Sequence, residues 1–223
     1  METHRYIPLY IMIDDEIEEK IKPFESQLKI LKKNCLNEYS GKNRKEMEKE
    51  GIFKNLMKVK MDLIEWTLEN EKNTMYTDAD IVFLYSLESY IDFSKDVGIS
   101  PHLIHPENAK KYGYYNAGFL FVQNKNFPNW WRKETETSYF DDQGCLDNVP
   151  LHFSFFEFHS SCNFGWWRMF EAELPFAKIQ STFGIQNEKI YCNGNPLTTI
   201  HTHFFLDSPN MISFKFNEFI CSL

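Results

Sequence analysis

Two short acid and imidazole pairs carry most of the chemistry in this chain. Asp78-Ala79-Asp80 lies between apolar, β-prone residues, Met75 to Thr77 on one side and Ile81 to Leu84 on the other. In an extended chain, residues two apart point the same way, so both carboxylates can face one site. Two carboxylates repel unless a cation or a shared proton joins them. A hard divalent ion such as Mg²⁺ or Mn²⁺ takes oxygen ligands and keeps room for substrate phosphates. His201-Thr202-His203 sits in a second strand-like run, and the same period puts both rings on one side. Imidazole suits Mn²⁺ better than Mg²⁺. Each pair has a plainer reading when taken alone: solvated aspartates in a turn, and hydrogen-bonded histidines in a strand.

Two polar clusters lie between these pairs. Asn116-Ala117-Gly118 places one amide before the apolar run Phe119 to Val122, and small residues there let a ligand approach the backbone. Asp141-Asp142-Gln143 precedes a second apolar stretch. A strand-opening Asx turn and a helix N-cap are the local alternatives, and an aspartate can cap and ligate together.

The order Lys60, Asp78-x-Asp80, Asn116-Ala-Gly, Asp142-Gln143, His203-Phe resembles nucleotide-sugar glycosyltransferases of the GT-A fold. It is most similar to the glycogenin-like and nucleotide-diphospho-sugar transferase families, and to glycosyltransferase domains encoded by chlorella viruses. The resemblance runs from about residue 52 to residue 205. It implies that Asp78 and Asp80 bind Mn²⁺ (or Mg²⁺) and the donor diphosphate. His203 would complete the metal site, with His201 as the alternative. Lys60, with Lys58 as neighbour, would reach the donor; Asn116, Asp142 and Gln143 would contact the transferred sugar. Tyr10 to Asp14 would lie near the base. The Gly and Lys-Pro-Trp that often follow the histidine in these families are absent. Leu206-Asp207-Ser208-Pro209 stands there instead.

The implied activity is metal-dependent transfer of a hexosyl group from a UDP-sugar to a saccharide acceptor. Similarity of Asn116 and Asp142-Gln143 to retaining enzymes implies retention, with Gln143 facing the anomeric carbon. Asp141 is an extra acid that would serve as the base of an inverting enzyme. A metal-dependent nucleotidyltransferase and a non-catalytic sugar-binding module are the rival classes. Asn163-Phe164-Gly165-Trp166-Trp167 reads as a loop whose tryptophans suit an acceptor sugar.

These residues need elements to position them. Arg5 to Ile13 reads as a buried strand ended by two acids. Ile17, Ile21, Phe24, Leu28 and Leu31 follow helical spacing, interrupted at Pro23. A long helix spans about Lys45 to Asn70, striped by Ile52, Phe53, Leu56, Met57, Leu63 and Ile64. Strands follow at Thr74 to Tyr85 and Gly118 to Val122. Asn193-Gly194 predicts a hairpin between Lys189–Cys192 and Leu197–Phe205. The alternation predicts an α/β fold with a mixed central sheet flanked by helices, parallel in its first half and antiparallel in its tail. We expect one GT-A domain over residues 1–223, as a module of a longer protein or by itself.

The 223 residues carry a formal net charge of −8, which excludes general nucleic-acid binding through phosphate neutralisation. Five widely spaced cysteines argue against a disulfide framework. No signal peptide and no run of about 20 apolar residues is present, so a cytoplasmic location (host cytoplasm for a viral protein) without a membrane span is expected.

Overall fold

The computed structural model describes residues 7–32, 34–165, 167–170, 176–202 and 212–222. Strand β1 (Leu9–Ile13) ends at Asp14, which caps helix α1 (Asp15–Ile21) by accepting the Ile17 N–H. The helix stops where Pro23 opens a 3₁₀ turn, and β2 (Leu28–Lys32) then pairs parallel with β1. The spacing of Leu28 and Leu31 suits a helix, yet both lie in this strand. Pro23 denies the continuing helix a backbone donor, and the edge of β1 supplies the hydrogen bonds instead.

The long helix is in fact two. Helix α2 (Arg44–Glu50) opens on an Asn43/Glu46 capping box and closes at Gly51, φ +73°. A left-handed glycine terminates a helix at little cost, and α3 (Phe53–Asn70) starts afresh. Its buried face, Met61, Ile64 and Leu68, lies against the central sheet.

The stretch predicted as one strand from Thr74 to Tyr85 is two strands in different sheets. They are β3 (Thr74–Thr77) and β4 (Ile81–Phe83), with Asp78-Ala79-Asp80 turning between them. After them come β5 (Val97–Pro101), α4 (Pro106–Tyr112), β6 (Tyr115–Val122), α5 (Phe127–Thr137), α6 (Val149–His152) and β7 (Phe155–Glu157). The central sheet runs β3-β6-β5-β7. Its β3/β6 and β5/β6 ladders are antiparallel and β5/β7 is parallel, so the parallel first half expected from the alternation does not hold. Strand β6 is buried on both faces. Leu120 and Val122 join α3 and Trp131 in the main core, while Phe119 and Phe121 join Phe158 and Leu87 in a second.

The last third supplies β8 (Phe164–Gly165), α7 (Trp167–Phe170), α8 (Phe176–Gln180), β9 (Phe183–Gln186), β10 (Lys189–Cys192), β11 (Asn195–Pro196), β12 (Thr199–His201) and α9 (Ile212–Ser222). Asn193 and Gly194 both have positive φ and make the expected tight turn. Its second arm is only β11; the chain then leaves to form β12, which pairs antiparallel with β4 and parallel with β8. Cys145, Cys162 and Cys192 are buried free thiols, and Cys221 is an exposed one. Among the described residues no helix is long and apolar enough to cross a membrane.

Candidate active site

The site forms where the two sheets meet. In the β3/β6 ladder Thr77 lies opposite Phe119, and one step on the Asp78 N–H donates to the Gly118 carbonyl at 2.9 Å. The chain then reverses: the Ile81 N–H returns to the Asp78 carbonyl at 3.3 Å, a turn that favours Asp at its first position. In the β4/β12 ladder His201 lies opposite Ile81, beside Asp80. A carboxylate oxygen from each of Asp78 and Asp80 and a His201 ring nitrogen fall within 4.8 Å of one another. The turn, rather than strand alternation, brings the acids together. His203 lies outside the described residues; His201 is the histidine seen at the acids.

This donor set fits a hard to borderline divalent ion, and a glycine lets its carboxylate and ring pack close against β6. A Cβ on Gly118 would overlap the Asp78 carboxylate and come within 3.0 Å of His201 Cε1. Opposite His201, Gly165 leaves room for the Trp167 ring, whose centroid lies 5.2 Å from that of His201.

Lys60, on the buried face of α3, reaches the same place. Its Nζ lies 2.7 Å from Asp142 Oδ2 and 3.6 Å from Asp78 Oδ1. Burial alone would push Lys60 down, but Asp142 and then Asp78 outweigh it and hold the ammonium charged. Burial also raises Asp142, and Lys60 opposes that shift. The Asp142 carbonyl accepts the Trp131 indole N–H at 2.6 Å, which anchors the loop to the core. Tyr76 donates to Asp78 Oδ1 at 2.8 Å, and its phenol is raised by burial and by that carboxylate. Sequence reasoning missed Tyr76, although it lies two residues before Asp78 on the same side of β3.

Asn116 sits where the β5/β6 register shifts between Ile99 and Ser100. The bulge frees backbone donors from the ladder: the Gly118 N–H turns to Asn116 Oδ1 (2.9 Å) and the Ala117 N–H to Gln143 Oε1 (3.3 Å). Gln143 also donates to the Tyr112 carbonyl at 2.5 Å, so its amide ties the loop to α4 and β6. Asp141 adopts φ +40° and lies 3.2 Å from Arg44, whose guanidinium stacks on Phe53 and Phe140. Lys58 does not join the site; it pairs with Glu136.

Tyr10 donates to Glu71 and packs edge-on against Trp66 at 5.0 Å. Asp14, with Met12, Ile13, Leu36 and Tyr39, lines an open depression of about 220 Å³. Leu56 of α3 borders it, one helical turn before Lys60. The Asn163 to Trp167 stretch is not an exposed loop. Asn163, Phe164 and Trp167 are buried, Phe164–Gly165 forms β8, and Trp166 lies outside the described residues. Trp167 is only 7% exposed and donates its N–H to the His102 carbonyl at 3.1 Å, which does not fit an exposed stacking face for a sugar.

His102 is partly buried beside Asn116 and was not foreseen from sequence. Burial pulls its pKa down to about 4, against a bond to the Gly113 carbonyl that would raise it. The sign follows from linkage. In the unfolded chain this ring takes its proton near pH 6.5, while in the folded chain it stays neutral until about pH 4. Its stability contribution is therefore present above pH 6.5 and lost as pH falls through about 4, amounting to roughly 3 kcal/mol. Urea midpoints from neutral pH to about pH 4 should fall more steeply for the wild type than for His102→Gln. Parallel slopes would refute this.

A family model described as nucleotide-diphospho-sugar transferase matches residues 8–154. It includes Lys60, Asp78, Asp80, Asn116 and the Asp141 to Gln143 loop. Among solved structures, apo mouse Xyloside xylosyltransferase 1 is similar at 10% identity and a TM-score of 0.50, over 90% of this chain and 85% of that one. The likeness supports the GT-A fold. No curated protein matches significantly.

Proposed function

We propose a metal-dependent sugar transfer, from the premise that this chain belongs to the nucleotide-diphospho-sugar transferase family. The donor is a UDP-sugar and the acceptor a saccharide. The observation that carries the reading is the convergence of Asp78, Asp80 and His201 donor atoms within 4.8 Å, beside the buried Lys60–Asp142 pair. Asp78, Asp80 and His201 would hold Mn²⁺ or Mg²⁺, which when bound supplies Lewis-acid stabilisation to the departing diphosphate. Lys60 adds a second positive charge for the same group. Asp142 holds Lys60 and the sugar hydroxyls, Asn116 shapes the backbone under the sugar, and Gln143 braces the loop. The depression beside Asp14 takes the base.

Retention is the favoured outcome. The bond between the anomeric carbon and the diphosphate oxygen breaks, the acceptor oxygen bonds to the same face, and its proton passes to the departing phosphate. Asp141 and Asp142 each face a cation, Arg44 and Lys60, which leaves neither set up as the general base that inversion requires.

Incubating the protein with a panel of UDP-sugars and Mn²⁺ tests the reading. Slow UDP release is expected, a product with the donor's anomeric configuration by NMR, and a nearly silent Asp141→Asn. An inverted product, with a loss of at least about 100-fold in Asp141→Asn, would make Asp141 the base. Pyrophosphate release from a nucleoside triphosphate would favour a nucleotidyltransferase. Binding without turnover would favour a sugar-binding module.

A further inference from the structure

We propose that Asn163 is a positioning residue. It holds His201 Nδ1 as a hydrogen-bond donor, with Nε2 turned to Asp80, through a hydrogen-bond relay that ends at His201 and whose polarity is set by two backbone groups.

The relay runs His102, Asn116, Asn163, His201. His102 Nδ1 lies 3.2 Å from the Gly113 carbonyl, which can only accept, so that nitrogen carries the proton. Its Nε2 is then an acceptor, and it lies 3.0 Å from Asn116 Nδ2. At the other end of the same amide, Asn116 Oδ1 accepts the Gly118 N–H at 2.9 Å, and that group can only donate. The two backbone groups thus fix one orientation of the Asn116 amide independently, and they agree. Amide orientations and histidine tautomers are set by their partners, and here no alternative satisfies both ends.

The next step follows. Asn163 Nδ2 donates to Asn116 Oδ1 at 3.1 Å and to Ser100 Oγ at 3.2 Å, which turns Asn163 Oδ1 toward His201 Nδ1 at 3.0 Å. An amide oxygen only accepts, so Nδ1 must donate. Nε2, 3.1 Å from Asp80 Oδ1, is the nitrogen left to face the acids, as donor to that carboxylate or, with a cation between them, as its ligand.

Asn163 is itself held firmly. It is fully buried, its N–H donates to Thr199 Oγ1 at 2.7 Å, and its φ is +49°, a conformation asparagine tolerates better than most residues. A buried partner that fixes the tautomer and aim of a histidine is typical support for a metal ligand. The consequence for a cation rests on the function proposed above; the tautomer does not.

The test uses ¹⁵N-histidine-labelled, metal-free protein, with the His201 signals assigned by their loss in His201→Gln. Nδ1 is expected to carry a proton. In Asn163→Ala that single state should be lost and a neutral Nε2–H form should appear. Mn²⁺ affinity, read by calorimetry, should fall about 10- to 100-fold. A wild-type spectrum with the lone pair on Nδ1 would overturn the proposal, and this measurement decides even if Asn163→Ala does not fold. A folded Asn163→Ala that keeps a pure Nδ1–H state and unchanged Mn²⁺ affinity would also overturn it. Wild-type protein that binds no Mn²⁺, yet has the Nδ1 proton and loses it in Asn163→Ala, would sustain the relay and remove the cation reading alone.

Discussion

In Asp80→Ala, donor binding should lose its dependence on Mn²⁺ and transfer should fall by at least about 10²-fold, with little change in melting temperature. The size follows from removing one carboxylate from a cation asked to supply several kcal/mol to the leaving group, at about 1.4 kcal/mol per tenfold in rate. The preserved fold follows from how Asp80 is held. Its main-chain carbonyl accepts both the Thr202 N–H at 2.9 Å and the Thr202 hydroxyl at 2.7 Å, and alanine keeps both bonds. Calorimetric titration of a UDP-sugar with and without Mn²⁺, alongside thermal melts, checks both halves. Unchanged affinity with unchanged Mn²⁺ dependence would show that the assigned acids do not hold the ion.

Gly118→Ala should be as damaging to the site and harder on the fold. The added methyl would overlap the Asp78 carboxylate and press on His201 Cε1 at 3.0 Å. Neither neighbour yields easily. Asp78 is pinned through its N–H to the Gly118 carbonyl and through Oδ1 to Tyr76, and His201 is hydrogen-bonded to Asn163. Overpacking of this kind costs about 1–3 kcal/mol, and relief requires turning Asp78 out of the cluster. We expect a lowered urea midpoint together with loss of Mn²⁺ binding. Ala117→Gly, one residue away, should lower the midpoint by a smaller amount and retain Mn²⁺ binding. A Gly118→Ala protein that binds Mn²⁺ like the wild type would mean that the carboxylate and ring do not jointly face an ion.

The site was legible in sequence where its parts are short and contiguous. Asp78-x-Asp80, Asn116-Ala-Gly and Asp142-Gln143 each announce themselves, because neighbours along the chain carry the chemistry, although the acids of Asp78-x-Asp80 meet through a turn and not through the strand alternation their spacing suggests. The helix break at Gly51 and the strand at Leu28–Lys32 were not. A left-handed cap competes with an otherwise continuous apolar stripe, and two leucines three apart fit a helix as well as a strand until a partner edge is known. Asn163 and His102 were invisible for a different reason. Their roles exist only through contacts with residues far along the chain, and a lone asparagine before Phe-Gly looks like any turn. The two histidines of His201-Thr202-His203 are equivalent by spacing, and only the β4/β12 register puts His201 beside Asp80.

That register also dictates an order of assembly. Asp78 can be placed as soon as β6 forms, because its N–H pairs with Gly118. Asp80 cannot: among the described residues the ladder partner of β4 is β12, Thr199–His201, more than a hundred residues later in the chain. Closing a loop that long is slow but adds little entropic cost beyond a shorter one. On a ribosome, the two aspartates that sit two residues apart would therefore reach their final positions at different times. The second would be set only when β12 has emerged and been captured between β4 and β8. A nascent chain stalled anywhere before Thr199 would carry a complete Asp78-Ala79-Asp80 sequence and no assembled cluster.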